Sequence, residues 1–105
     1  MHTRDQLYID GKWIQPIGIG SIDVFNPATE EIIGKIPVGS SKDVDKAASA
    51  ARSAFESWSK SDINTRIDIL NALSNKLKER GEEIAQTITA EVGTPIGYSR
   101  IAMVG

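Results

Sequence analysis

The segment from Ile22 to Val38 limits the possible folds more than any other part of this 105-residue chain. Ile22 to Phe25 reads as a strand, Asn26-Pro27 opens a turn, and Ile32, Ile36 and Val38 alternate on one face of a returning strand. The turn residues act separately: asparagine accepts a local backbone hydrogen bond and proline presets φ. A second unit of this kind lies upstream. Asp10-Gly11 separates Leu7-Tyr8-Ile9 from Lys12-Trp13-Ile14, and a two-residue type I′ turn needs positive φ at both centres, which Asp-Gly supplies. Pairing outward from that turn sets Ile9 against Lys12 and Tyr8 against Trp13. The two aromatics then share one face, with Leu7 and Ile14 on the other, so the ribbon is apolar on both sides and requires cover. Between the hairpins, residues 15–21 form a loop broken by Pro16, Gly18 and Gly20.

At Gly39-Ser40-Ser41 the apolar period changes from two to that of a helix. Ser40 and Asp43 form a helix-start signature, the hydroxyl capping free N–H groups and the carboxylate favouring the positive end of the helix dipole. Val44, Ala47, Ala48, Ala51, Phe55 and Trp58 recur at helical spacing opposite Lys42, Lys46, Arg52 and Glu56, which predicts one packing helix. A second helix is predicted from near Asp62 to Arg80, turning Ile63, Ile67, Leu70, Leu73 and Leu77 inward and stopping at Gly81. A third, Glu82 to Val92, buries Ile84, Ala85 and Ile88 and stops at Gly93. Thr94-Pro95 reads as cap and first residue of a fourth. Ile101-Ala102-Met103-Val104-Gly105 ends in mid-pattern, which reads as a cut through a longer chain. Within these residues the fold class is α+β: two N-terminal β-hairpins (1–39), then three to four amphipathic helices (40–105).

Composition removes several function classes. Twelve basic against fourteen acidic side chains leave a net charge of -2, which gathers neither nucleic acid nor anionic lipid. The chain has no cysteine, hence no disulfide, no thiolate metal site and no thiol nucleophile. No apolar run approaches the roughly 18–20 residues of a membrane span, and the first six residues lack a secretory apolar core, so a cytoplasmic protein is expected.

Few residues invite a chemical role. Gly18-Ile19-Gly20 suggests a phosphate cradle, but a dinucleotide fingerprint needs a third glycine three residues on and a helix behind it, whereas position 23 is Asp23 in a strand pattern. Gly93-Thr94-Pro95-Ile96-Gly97 has the small-xxx-small spacing of membrane helices without an apolar 20-mer around it, and reads as helix capping. Glu82 and Glu83 are adjacent on a helix, about 100° apart, where the dipole favours acids rather than where a general acid and base would converge. His2, the sole histidine, falls in an expected flexible tail with no second soft ligand nearby. Trp13 and Trp58 sit at periodic positions and read as packing.

The ordered set Leu7–Trp13, Val24–Ile36, Val44–Ala48 running into Phe55 and Trp58, and Arg66 with Ile69-Leu70 resembles the N-terminal approach of the NAD(P)-dependent aldehyde dehydrogenases. The resemblance implies that these elements belong to the aldehyde dehydrogenase-like fold, α/β at large, and to an enzyme that oxidises aldehydes to carboxylic acids. In that reaction a thiolate adds to the carbonyl, hydride leaves for nicotinamide, and a carboxylate activates water. NAD or NADP would serve the parent enzyme and is not expected to bind these residues. The family's reactive residues fall outside this stretch, so Asn26, Glu82 and Glu91 take none of those roles, and no catalytic, cofactor-binding or metal residue is assigned. Some family members hold a structural monovalent cation with an acidic residue just before a Gly-x-Pro step and a carbonyl from the strand before Asn-Pro. Here those positions are Glu91 and Val24, and Glu91 reads instead as a solvated helix-end carboxylate. The expected partners are the rest of the parent polypeptide or a second copy of the chain. A stand-alone interaction module using the apolar helix faces is the alternative.

Overall fold

The computed structural model of the chain describes residues 2–105, apart from the side chains of His2 and Met103. Strands come first: β1 (His2–Thr3), β2 (Leu7–Ile9), β3 (Lys12–Ile14), β4 (Ser21–Phe25) and β5 (Ile32–Pro37). Helices α1 (Ser41–Trp58), α2 (Ile63–Glu79), α3 (Gly81–Val92) and the single turn α4 (Ile96–Tyr98) follow, and a π-helical turn occupies Ser99–Met103. The residues group into two units. One takes the chain up to Val24 together with Ile32–Lys60, and the other takes Phe25–Glu31 with Ser61–Gly105.

In the first unit β2 and β3 pair antiparallel in the anticipated register, Leu7 with Ile14, Tyr8 with Trp13 and Ile9 with Lys12. Asp10 and Gly11 take φ of 56° and 73°, the left-handed geometry that the tight turn demands. The aromatic rings meet at 5.1 Å between centroids, inclined by 58°, an arrangement favoured by the ring quadrupoles. Their face is nevertheless open to solvent, Tyr8 at 62% and Trp13 at 59%. Leu7, Ile9 and Ile14 are half-buried on the opposite face, and β2 contacts α1.

The second hairpin is enlarged into a three-stranded sheet of order β1-β5-β4. Parallel pairing of His2 with Gly34 and Thr3 with Lys35 adds β1, extended by the Arg4 N–H to the Lys35 carbonyl at 2.8 Å. The backbone of His2 is therefore a strand and not a loose tail, because an N–H and C=O ladder on β5 is open to receive it. The expectation that His2 binds no metal concerns a side chain outside the described residues. On the facing strand pair, Lys35 reaches Asp23 at 3.0 Å. In β5, Gly34 is buried while Ile32 and Ile36 stay exposed at 37% and 43%.

In the other unit, α2 and α3 follow each other with Arg80 alone between them. Gly81 is the first residue of α3 rather than a stop after α2, since the C-cap Arg80 keeps negative φ and needs no left-handed glycine. Gly93, by contrast, ends α3 at φ 81° as anticipated. The fourth helix is capped by Pro95 and not by the Thr94 side chain, and it passes after three residues into the wider π-helical turn. Ala85 is the single fully buried hydrophobic residue among those described; Ile84 and Ile88 flank it half-buried.

The predicted stripes thus have the right period but are not inward. Val44, Phe55 and Trp58 on α1 are 65%, 56% and 46% exposed, and Ile63, Leu70 and Leu73 on α2 are 71%, 64% and 54% exposed. Amphipathic spacing states which face is apolar; what covers that face depends on other chain segments. Trp13 and Trp58 are likewise surface residues here.

Candidate functional site

The most constructed polar feature surrounds Asp43. Ser40 is the N-cap of α1, its hydroxyl accepting from the Asp43 N–H at 3.3 Å while the Asp43 carboxylate accepts from the Ser40 N–H at 2.9 Å and from its hydroxyl at 3.0 Å. The hydroxyl cap is legible in the residues, which also place the carboxylate at the positive end of the helix dipole; the structure adds its reciprocal bond to the Ser40 N–H. What was not legible is the reach of the same carboxylate across the chain. It also accepts from the N–H of Ile17 at 2.8 Å and of Gly18 at 3.0 Å. At 3% exposure, an ionised carboxylate persists only because these donors replace water. The Ile17, Ser40 and Gly18 amides hold Asp43 far below the usual carboxylate range, against the opposing effect of desolvation. Ionised at neutral pH, it is acceptor-only, and its lowered pKa makes it a weak base.

This arrangement also decides the glycine loop. An anion cradle needs free N–H groups, and the Gly18 N–H is already given to Asp43. Gly18 further lies so close to the Val38 carbonyl that a side chain there would collide with it. The loop residues do not fit a dinucleotide phosphate, and Asp23 lies in β4. Alongside, Ile9, Lys12 and Ile14 of the hairpin and Lys46, Ala50 and Ala54 of α1 line an open groove. Asp10, Ser49 and Ser53 line it as well, so the groove mixes alkyl groups with hydroxyls and charges of both signs.

The remaining singled-out residues are structural. Asn26 accepts from the Ala28 N–H at 2.9 Å and the Thr29 N–H at 3.3 Å, and the turn closes through the Asn26 N–H to the Glu31 carbonyl. Glu82 accepts from the Arg100 Nε and Nη2 at 2.9 and 2.8 Å and from the Gln86 amide at 2.8 Å, whereas Glu83 pairs with Arg80. The adjacent acids face different partners. Ser99, fully buried, shares a 3.0 Å hydrogen bond with the Thr89 hydroxyl. Glu91 is exposed in the last turn of α3, Val24 is half-buried in β4, and the two belong to different units. Among the described residues there is no cluster of three or more His, Cys, Asp or Glu suited to a metal.

Arg100, followed by Gln86, lowers the Glu82 carboxyl from 4.5 to about 2. A depressed folded-state value contributes stability that is fully present above the unfolded value and disappears as pH falls from 4.5 towards 2. Glu82→Gln is therefore expected to lower the urea midpoint at about pH 6 and to leave a shallower fall between about pH 4.5 and about pH 2. Both side chains are about half exposed, so 0.5 M salt should shrink the difference. Equal acid slopes for the two proteins would contradict this.

Residues 13–104 match the aldehyde dehydrogenase family, and the chain belongs to that family. It is 41% identical over 96 residues to a 3-succinoylsemialdehyde-pyridine dehydrogenase of a Pseudomonas species, covering 91% of this chain and 20% of that protein. An aldehyde dehydrogenase from Bartonella henselae superposes with a TM-score of 0.96 at 32% identity, over 99% of this chain and 22% of that one. Aldehyde dehydrogenase C of Pseudomonas syringae, solved as a mutant with NAD+ and octanal, superposes at 0.93 with 41% identity, over 95% and 21%. The chain thus spans about a fifth of the length of the relatives it matches, and it corresponds to their N-terminal portion. Among the described residues no helix is long and apolar enough to cross a membrane.

Proposed function

We propose that the chain is the N-terminal scaffold of a cytoplasmic NAD(P)-dependent enzyme that oxidises aldehydes to carboxylic acids, and that it has no activity by itself. The observation that carries this is the pairing of family membership with a sequence that has no cysteine to supply a thiolate, while the acids of the most built polar features, Asp43 and Glu82, are bound to N–H, O–H and guanidinium donors. NAD or NADP serves the parent enzyme, as suggested by relatives solved with NAD+, while the Gly18-Ile19-Gly20 loop here has its Gly18 amide engaged. No catalytic, cofactor-binding or metal residue is assigned to these 105 residues. Residues 1–39 form the β-hairpin region of this scaffold and residues 40–105 its helical region. Its partners are the rest of the parent polypeptide or, when alone, further copies of itself.

Purified chain incubated with NAD+ or NADP+ and a panel of short and long aldehydes should give no nicotinamide absorbance above buffer. Turnover retained after repeated chromatography would overturn the proposal. A second reading, an interaction module, draws support from the exposed faces of α1 and α2. It would be favoured if the chain captured a folded protein unrelated to aldehyde dehydrogenases with a defined stoichiometry.

A further inference from the structure

We propose that Asp10-Gly11 is a site of self-modification, where the Asp10 carboxyl and the Gly11 nitrogen close a succinimide ring that water opens to a β-linked isoaspartate. Both residues are exposed, and the Asp10 carboxylate has no hydrogen bond or ion pair to any described residue. The Gly11 N–H likewise donates to no described residue, because the ribbon closes between Ile9 and Lys12. Glycine brings no side chain to shield that nitrogen, and a Cβ at Gly11 would meet nothing within 4 Å. Asp10 is held at φ 56°, a left-handed geometry that costs more for a residue with a side chain than for glycine. The ribbon holding it has only two strands of three residues each, a size of marginal stability. Local opening therefore lets Asp10 rotate into ring-closing geometry.

The step balances without a co-reactant. The Gly11 nitrogen bonds to Asp10 Cγ, and the carboxyl hydroxyl leaves as water with the former amide proton. Water then opens the ring on either side. Attack at Cγ restores aspartate. Attack at the Asp10 main-chain carbonyl carbon breaks the original peptide bond and leaves a free α-carboxylate, with the chain running through the Asp10 side chain. One water leaves and one returns, and nothing is oxidised or reduced. The converted backbone is longer by a methylene, so the two-residue turn and the Tyr8–Trp13 register that it sets cannot re-form. Elsewhere the same chemistry is obstructed. Every other aspartate precedes a residue with a side chain. Asp23, Asp43 and Asp62 also have engaged carboxylates, on Lys35 at 3.0 Å, on the Ile17, Gly18 and Ser40 amides, and on the Thr65 N–H at 2.8 Å. The Val44 N–H beside Asp43 is itself given to the Ser40 carbonyl at 3.1 Å.

The test is to age the intact 105-residue chain for several weeks at neutral pH and physiological temperature, then to separate and sequence its peptides by mass spectrometry. In ordinary water the Asp10 peptide should split into two isomers of equal mass, and in heavy-oxygen water the new isomer should carry one heavy oxygen. Its conversion should be at least about tenfold faster than that of any other aspartate peptide. Gly11→Ala should slow conversion by about tenfold, because the methyl group shields the nitrogen. That substitution also loosens a turn built on φ 73°, so a slower reaction separates access to the nitrogen from mere flexibility, and the peptide readout does not require the variant to fold. Isolated converted chain should lose the near-ultraviolet dichroism of the Tyr8–Trp13 pair. Absence of a labelled isomer at Asp10, equal conversion at the other aspartates, faster conversion in Gly11→Ala, or an isoaspartyl chain that keeps the aromatic signal would overturn the proposal.

Discussion

Gly18→Ala is expected to be the most damaging single-methyl change in the chain, lowering stability by about 1–3 kcal/mol, as overpacking against rigid neighbours does. The added Cβ would press into the Val38 carbonyl oxygen and come within 3.0 Å of the Ser40 nitrogen and 3.3 Å of the Gly39 carbonyl carbon. All three are backbone atoms, held in place by the end of β5 and the start of α1, so none can rotate away as a side chain would. Relief must come from moving the loop, which would in turn pull the Gly18 N–H from Asp43. With a urea slope of about 1–3 kcal/mol per molar, the midpoint should fall by about 1 M. Gly97→Ala provides the comparison, because a Cβ at Gly97 meets nothing within 4 Å and its φ is not positive. That change should be neutral or slightly stabilising, by up to about 1 kcal/mol, through the unfolded chain. Equal midpoints for the two variants would show that the close approach at Gly18 is absent in solution.

Replacing Leu70 and Leu77 together with lysine is expected to leave the fold of the chain nearly untouched and to abolish its association. Both leucines lie on the α2 stripe, 64% and 48% exposed. Exposed positions of this kind change stability by no more than about 0.5 kcal/mol each, whereas burial of a leucine in a contact is worth about 1.5–3 kcal/mol. Two lysines on that face should weaken self-association by at least about a hundredfold, since about 1.4 kcal/mol corresponds to tenfold. Sedimentation velocity across a concentration series should show oligomers for the unaltered chain and monomers for the double variant, with the same far-ultraviolet dichroism. A compact monomer for the unaltered chain at the highest concentration would remove the basis for self-association through α2. Loss of helical signal in the double variant would show that those leucines belong to the chain's own interior.

The elements that could be read from the residues are those whose determinants are close in sequence. Asp10-Gly11 sets both the turn and the register of Tyr8 on Trp13. Ser40 with Asp43 and Asp62 with Thr65 mark the starts of α1 and α2, the Asp62 carboxyl being lowered chiefly by the Thr65 amide, and Gly93 marks the end of α3. The features that could not be read depend on distance along the chain. Nothing local in His2-Thr3 announces a parallel partner at Gly34-Lys35. Asp43 looks complete as a helix cap, so its further reach to Ile17 and Gly18 has no sequence signal beyond the loop's length. The π-helical turn after Tyr98 is hidden because its residues fit helical spacing. Exposure of the α1 and α2 stripes escaped prediction for a different reason. A period identifies an apolar face, and only the presence of a neighbouring segment makes it interior. Family resemblance, by contrast, is distributed over short ordered motifs, and the match over residues 13–104 bears it out.

The pairing of β1 onto β5 has a kinetic consequence. Its partners lie about thirty residues apart, so that contact closes a long loop and gains only a two-residue ladder in return. The β4–β5 ribbon, closed by the Asn26–Glu31 turn, involves a far shorter search and should come together earlier. Assembly of the sheet would then proceed backwards relative to synthesis: β1 leaves the ribosome before the strand it pairs with is made, and joins it last.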